Sequence, residues 1–136
     1  MNIKRWLLAS VVAMVVIAVL ESVIHGKLLT DLYMQTASVW RPYEEMKNYM
    51  CYMWAGYAVF GFFFALIYTK GYESGKPGWL QGLRFGAYFG GAMSVMSSFG
   101  WYAILPIPMI LAVYWFIAVL AIFILTGIAT GLVYRK

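Results

Sequence analysis

The 136-residue chain has little charge, because only 11% of its residues are Asp, Glu, Lys or Arg. Soluble domains average about 25% charged residues, so this chain lacks the polar material for a surface that faces water. A soluble enzyme and a disordered tail are therefore excluded. Ten basic and five acidic residues give a net charge of +5. The basic residues are spread thinly between apolar runs, which excludes a nucleic-acid-binding patch.

Two reactive residue types are almost absent, since Cys51 is the one cysteine and His25 the one histidine. A single cysteine excludes an internal disulfide, and no Cys-x-x-Cys pair or His/Cys cluster indicates structural zinc. One histidine excludes haem held by two histidines within one subunit. No Ser-His-acid set or phosphate-binding glycine loop is indicated, so we expect no enzymatic activity.

Four apolar runs cover most of the chain, and each is long enough for a membrane-spanning helix of about 20 residues. A basic start precedes the first run, but no small-x-small site follows it, so we expect a span there and not a cleaved signal. The expected structure is an all-α integral membrane four-helix bundle, with a long outer loop between helices 1 and 2. Residues 1–136 form its single domain, with spans at about 4–25, 46–69, 79–104 and 109–134.

Lysine and arginine predict the orientation, because cytoplasmic loops carry an excess of both. The other side is expected to hold Lys27, Arg41 and Lys47, and also three acids. Both termini are therefore expected in the cytoplasm. With an even number of spans, seven basic residues share the cytoplasmic side: Lys4, Arg5, Lys70, Lys76, Arg84, Arg135 and Lys136.

Small residues recur at every fourth position of the third span. In lipid, close backbone contact between such residues drives helix association. We expect the stripe to pack within the bundle, and the alternative is an oligomer seam or a site for a bound lipid or cofactor. Candidate partners are Gly127 with Gly131, and Gly56 with Gly61. The helix-packing stripe consists of Gly82, Gly86, Gly90, Ser94 and Ser98.

The longest connection runs over about residues 26–47. Its leucines and Tyr33 are spaced like one helical face, which predicts an extension of the first span or a short helix in the membrane interface. Pro42 suits the first position of a new helix, which places Glu44 and Glu45 in the first turn, where the dipole favours negative charge. The helical face consists of Leu28, Leu29, Leu32 and Tyr33, and the expected interfacial anchor of Trp40, Arg41 and Pro42.

Glu21 is the strongest functional signal in the chain. It lies fifteen residues after Trp6, about 22 Å along a helix, and so in the outer third of a hydrocarbon core about 30 Å thick. A carboxylate there requires a partner, a proton or a water-filled cavity. His25 is four residues away on the same helical face, so we expect the two side chains to meet inside the bundle.

Three interpretations of this pair remain open. Glu21 and His25 hold the outer end of the bundle together by hydrogen bonding, with Arg41 as a further candidate partner. Alternatively they form a metal or proton site, for which Asp31 is a candidate third ligand, because two ligands are too few for a metal. In the third interpretation Glu21 binds a substrate. Glu44, Glu45 and Cys51 are the other candidate ligands on the outer side.

Methionine suggests a copper site as a further alternative. Met46, Met50 and Met53 follow helical spacing beside Cys51, and Met34 lies in the preceding loop. Sulfur ligands select Cu(I). However, methionine is an ordinary filler of apolar gaps, and nine of them require no metal.

Several short patterns extend along the chain: His25-Gly26, Leu28-Leu29, Asp31, Tyr33, Trp40-Arg41-Pro42, Glu45-Met46, Gly71-Tyr72-Glu73, Gly78-Trp79-Leu80, Gly82-Leu83-Arg84-Phe85-Gly86 and Pro106-Ile107-Pro108. Together they resemble a family of small four-span bacterial membrane proteins of uncharacterised function. The resemblance covers most of the chain. It implies the four-span architecture and, with the charge bias, the bacterial inner membrane, but it implies no activity.

Two functions follow as expectations. The first is a small accessory or structural subunit that packs against a larger membrane complex or against itself. The alternative is an outward-facing cation (Cu/Zn) or proton binding or transport protein that uses Glu21 and His25, and at this size it requires a second copy to enclose a transport pathway. The expected partners are the lipid bilayer and other membrane subunits or copies of the chain, without nucleic acid and without a cofactor other than a possible metal ion.

Overall fold

The computed structural model describes residues 1–134, and this part of the chain is helical with no strand. The prediction of an all-α chain is thereby confirmed. The predicted basic pair Arg135 and Lys136 lies outside the described residues. The α-helices are α1 (Ile3–Val23), α2 (Thr30–Gln35), α3 (Tyr43–Met46), α4 (Met50–Lys70), α5 (Gly78–Val95), α6 (Trp101–Ile104) and α7 (Met109–Val133).

Tighter and wider turns connect several of these helices. A π-helical turn, Ile24–Leu28, continues α1, and a second, Met96–Gly100, joins α5 to α6. The 3₁₀ turn Lys47–Tyr49 joins α3 to α4. The first and second apolar runs therefore extend a few residues beyond the predicted 4–25 and 46–69.

Within residues 1–134, three helical segments are long and apolar enough to cross a membrane: Ile3–Leu28, Tyr43–Lys70 and Met109–Val133. The third predicted span, at 79–104, is not among them. Its glycines and serines, together with Gln81 and Arg84, lower the mean hydropathy of α5 relative to the other long helices.

The closest helix packing joins α5 to α7 over their whole shared length. A Cβ added to Gly82 would lie 2.0 Å from the carbonyl oxygen of Gly127, and one added to Gly78 would lie 2.1 Å from that of Gly131. Such distances require backbone to touch backbone, which only glycine permits. All five residues of the predicted stripe are buried: Gly82, Gly86, Gly90, Ser94 and Ser98.

Helix α1 packs against both α4 and α7. Its closest approach to α4 is at Gly61, where an added Cβ would lie 2.8 Å from the backbone nitrogen of Met14. Gly56, the other expected packing position on α4, faces open space. The expectation that Gly56 and Gly61 contact the small-residue stripe of α5 was therefore wrong, because Gly61 packs on α1 and a Cβ added to Gly56 would meet nothing within 4 Å.

Aromatic rings fill the wider space between α4 and α5. Phe64 stacks on Phe123 of α7 with ring centroids 5.8 Å apart, and its edge meets Phe89 at 5.4 Å. The side of the bundle opposite the glycine contact is therefore held by side chains and not by backbone. The cluster consists of Phe60, Phe64, Phe85, Phe89 and Phe123.

Both described ends of the chain lie at one end of the molecule, which we call the terminal end. The backbone N–H of Asn2 donates to the hydroxyl of Tyr134 at 3.4 Å, and the hydroxyl of Tyr68 donates to the carbonyl of Gly78 at 3.2 Å. The connections 24–49 and 105–108 lie at the opposite end, which we call the distal end. There, Leu29 and Ile107 pack with Leu111.

A buried glutamine organises the turn between α4 and α5 at the terminal end. The side-chain oxygen of Gln81 accepts from the backbone N–H of Glu73 at 2.8 Å. Its side-chain nitrogen donates to the carbonyls of Glu73 and Lys76, both at 3.0 Å. Gly75 completes the turn with φ +85°, a conformation that other residues rarely adopt.

The long connection folds into short helical pieces. Leu29 is 6% exposed but Leu28 is 71% exposed, so the predicted face of leucines is wrong at Leu28, because the π-helical turn changes the register. Helix α3 begins at Tyr43, one residue after Pro42, with Glu44 and Glu45 in its first turn. Pro42 was expected at the first helical position, but it is the N-cap residue, one position before the helix.

Candidate functional site

Glu21 and His25 form an ion-pair geometry on α1 and the turn that follows it. Nε2 of His25 lies 3.2 Å from Oε2 of Glu21, and the two side chains are 30% and 26% exposed. The two side chains therefore meet as predicted, but they lie at the edge of the bundle and not inside it as expected, because about a quarter or more of each remains exposed. His25 belongs to the π-helical turn Ile24–Leu28, a deformation that occurs frequently at functional sites.

Tyr33 on α2 forms a hydrogen bond with the other ring nitrogen of His25. Its hydroxyl lies 2.5 Å from Nδ1 of His25, and the two rings stack with centroids 5.9 Å apart. The indole N–H of Trp115, six residues into α7, donates to the same hydroxyl at 2.7 Å. One tyrosine thus joins α1, α2 and α7 at the distal end.

Trp40 covers this arrangement from the long connection. Its ring meets Tyr33 edge-on at 5.4 Å and Trp115 at 6.0 Å. Its indole N–H donates to the hydroxyl of Thr36 at 2.8 Å. We refer to Glu21, His25, Tyr33, Trp40 and Trp115 as the His25 cluster.

One proton arrangement satisfies the polar contacts that join Trp115, Tyr33, His25 and Glu21. Trp115 donates to the Tyr33 oxygen, the Tyr33 hydroxyl donates to Nδ1 of His25, and Nε2–H of His25 donates to Glu21. This order corresponds to a neutral imidazole beside an ionised carboxylate. If Nδ1 also carried a proton, the Tyr33 hydroxyl would accept twice, and its own proton would have no acceptor among the described contacts.

The surroundings hold Tyr33 in its protonated form. The pKa of Tyr33 is raised to about 12: burial is the main cause, the hydrogen bond from Trp115 opposes the rise, and the negative charge of Glu21 adds to it. Tyr33 is thus a hydrogen-bond donor to His25 throughout the neutral pH range.

Several residues proposed from the sequence lie apart from the cluster. Asp31 is exposed on α2. Arg41 pairs with Glu45 at 2.6 Å, and its guanidinium lies 3.9 Å from the ring centre of Tyr49, so it does not reach Glu21. Within residues 1–134, no three His, Cys, Asp or Glu side chains converge on a point where a metal ion could bind.

The predicted anchor residues divide between two environments. Trp40 points into the His25 cluster, while Arg41 and Pro42 are exposed. The glycine–serine stripe of α5 packs on α7 with Gly127 and Gly131, far along the chain from the cluster. It therefore belongs to the scaffold and contributes no side chain to the site.

Sequence reasoning placed Tyr33 on a helical face and did not identify Trp115. Trp115 is 82 residues from Tyr33, and a tryptophan in an apolar helix has an ordinary packing role. Its position well inside α7, away from the interfacial belt where tryptophan is enriched, is the only sequence signal that could have marked it.

Comparison with protein-family models, with curated proteins and with solved structures finds no match to this chain. The resemblance to small four-span bacterial membrane proteins stays a prediction, and the site is interpreted from its own geometry.

Proposed function

We propose that the chain is an integral membrane protein that crosses the bilayer four times, with α5 through α6 as the third crossing. Apolar side chains are exposed in a continuous row along α1: Val11, Val15, Val19 and Val23. A soluble protein rarely exposes so continuous an apolar surface, whereas lipid solvates it. The proximity of Asn2 to Tyr134 supports an even number of crossings.

The proposed orientation places the terminal end in the cytoplasm of a bacterial inner membrane. Lys70 and Lys76, with Lys4, Arg5 and Arg84, lie toward that end, and such residues favour the cytoplasmic side. α5 is the least apolar crossing, and its burial against α7 supports insertion as part of the bundle and not alone.

Labelling with a membrane-impermeant thiol reagent tests this topology. Lys47→Cys and Lys70→Cys, each in a Cys51→Ser background, place one thiol near either end of α4, about 35 Å apart along a helix. In intact spheroplasts we expect labelling at position 47 only, and at position 70 after permeabilisation. Equal labelling of both would contradict a crossing by α4.

Within the membrane we propose the role of an accessory or structural subunit, which packs against a larger complex or against a second copy. The observation that carries this proposal is the internal pairing of the His25 cluster. The hydroxyl of Tyr33, both ring nitrogens of His25, the indole N–H of Trp115 and one carboxylate oxygen of Glu21 have partners within the cluster. Such a hydrogen-bonded arrangement holds α1, α2 and α7 together.

Assembly measurements test the accessory role. Glu21→Gln retains the shape of the side chain and removes its charge, while His25→Ala removes the hydrogen bond to Tyr33. We expect both variants to weaken assembly on native gels in mild detergent, without a metal or proton phenotype. Val19→Ala, on the exposed row of α1, is the matched control. Unchanged assembly of both cluster variants contradicts the role.

A second candidate function is an outward-facing cation or proton site, because Glu21 and His25 retain 26% and 30% exposure. A third ligand would have to come from a second copy, since within residues 1–134 no third His, Cys, Asp or Glu joins the pair. Metal analysis of the purified oligomer tests this function. Bound copper or zinc that disappears in His25→Ala would favour it over the accessory role.

A further inference from the structure

An open groove of about 430 Å³ runs along the outside of the molecule between α1 and the outer half of α4. Its floor is apolar, and its lining includes Met14, Ala18, Ser22 and Trp54. Lys27 lies at the distal end of the groove. This surface has no role in the His25 cluster, because Glu21 and His25 do not line it.

The packing of α1 on α4 explains why the groove exists. The two helices touch at Gly61 and Met14, and Met14 is also the innermost residue of the groove. Beyond this contact the small side chains of Ala18 and Ser22 leave the space toward Trp54 unfilled. The groove therefore begins beyond the contact between Gly61 and Met14 and extends to Lys27.

The length of the groove corresponds to one leaflet of a bilayer. Thirteen residues separate Met14 from Lys27, which is about 20 Å along a helix. Half of the hydrocarbon core is about 15 Å, so the apolar floor covers one leaflet and Lys27 reaches the level of the headgroups. Lys27 is exposed and has no salt bridge within residues 1–134.

The volume distinguishes between a lipid chain and a protein helix. A helix about 10 Å in diameter occupies on the order of 1,500 Å³ over 20 Å, several times the space present. Flexible acyl chains can fill a narrow groove, and an ammonium group at its mouth complements a phosphate. We infer that this groove binds one anionic phospholipid, with an acyl chain along Ala18 and Ser22 and its phosphate at Lys27.

The inference rests on the proposed membrane insertion, and native mass spectrometry in mild detergent with added phosphatidylglycerol tests it. We expect one retained lipid per wild-type chain. Ser22→Phe fills the groove, and Lys27→Glu repels the phosphate, so each should weaken retention by about tenfold, as expected for a loss near 1.4 kcal/mol. Leu8→Phe adds a ring to an exposed position of α1 outside the groove, and Lys70→Glu reverses a charge at the other end; both should bind as wild type.

The outcomes separate this inference from the proposed function. Labelling that contradicts the crossing by α4 overturns both. Correct topology with no retained phosphatidylglycerol, or with equal retention in Ser22→Phe and Leu8→Phe, overturns the lipid site alone. A photoactivatable phosphatidylglycerol should cross-link to residues 14–27. Cross-links elsewhere on the surface but not there would indicate that a protein covers the groove, and would overturn the inference.

Discussion

The two ends of the molecule are held together by different means. At the terminal end, α5 meets α7 backbone to backbone through Gly78, Gly82, Gly127 and Gly131, and Gln81 fixes the adjoining turn. At the distal end, the helices are joined by side chains of the His25 cluster, which remain partly exposed. Backbone contact leaves no room for adjustment, whereas a side-chain network can rearrange. We therefore expect substitutions at the terminal end to be the more damaging to stability.

The largest effect is expected from Gly82→Ala. The new methyl group would lie 2.0 Å from the carbonyl oxygen of Gly127, so α5 must move away from α7. Overpacking of this kind costs about 3 kcal/mol of unfolding free energy, measurable by denaturant titration in detergent micelles. Gly91→Ala, on the same helix and facing open space, is the control and should be neutral or slightly stabilising. Equal stability of the two variants would contradict the close contact.

Gln81→Leu should have the next largest effect. The substitution removes three hydrogen bonds and leaves the N–H of Glu73 without its partner, which costs about 2 kcal/mol. Limited proteolysis between residues 71 and 77 should accelerate in parallel with the loss of stability. Gln35→Leu, at an exposed position, should change neither quantity.

At the distal end, Tyr33→Phe should reduce stability by only about 1 kcal/mol, because, with the chain inserted as proposed, hydrogen bonds between membrane helices contribute modestly. The variant retains the ring contacts with Trp40 and loses the bonds to His25 and Trp115. The fluorescence of Trp115 should shift, while Tyr43→Phe, at an exposed site, leaves the spectrum unchanged. A loss of unfolding free energy larger than that of Gly82→Ala would show that the distal end is the more sensitive of the two.

The last effect appears only in alkaline solution. Burial raises the pKa of Tyr33 from 10.0 to about 12, so the folded state retains a proton that the unfolded chain loses. Stability contributed by Tyr33 is therefore complete below pH 10.0 and declines as the pH rises toward about 12. Tyrosinate absorbance should show one fewer late-ionising group in Tyr33→Phe than in the wild type.

The helices were predictable because their apolar runs are long and bounded by polar residues or proline. The four-residue spacing of glycine on α5 also identified a surface for close packing, and Glu21 and His25 were paired from helical geometry alone. The partners Tyr33 and Trp115 were not predictable, because they come from other elements and carry no distinctive spacing. Likewise, the sequence carries no signal for the role of Gln81. A glutamine in an apolar helix lowers the mean hydropathy of that helix and indicates no hydrogen-bond partner.

The π-helical turn at Ile24–Leu28 makes the distal end tolerant of a change in chain length at this point. A π turn accommodates one residue more than the α-helix that would replace it. Deleting Gly26, whose surroundings are empty, would convert the turn to α-helix and leave the residues on either side close to their present rotational phase. A deletion within α1 itself has no extra residue to absorb it and would rotate the residues that follow by about 100° about the axis, so the π turn marks where the chain can lose a residue and still direct Tyr33 toward Trp115.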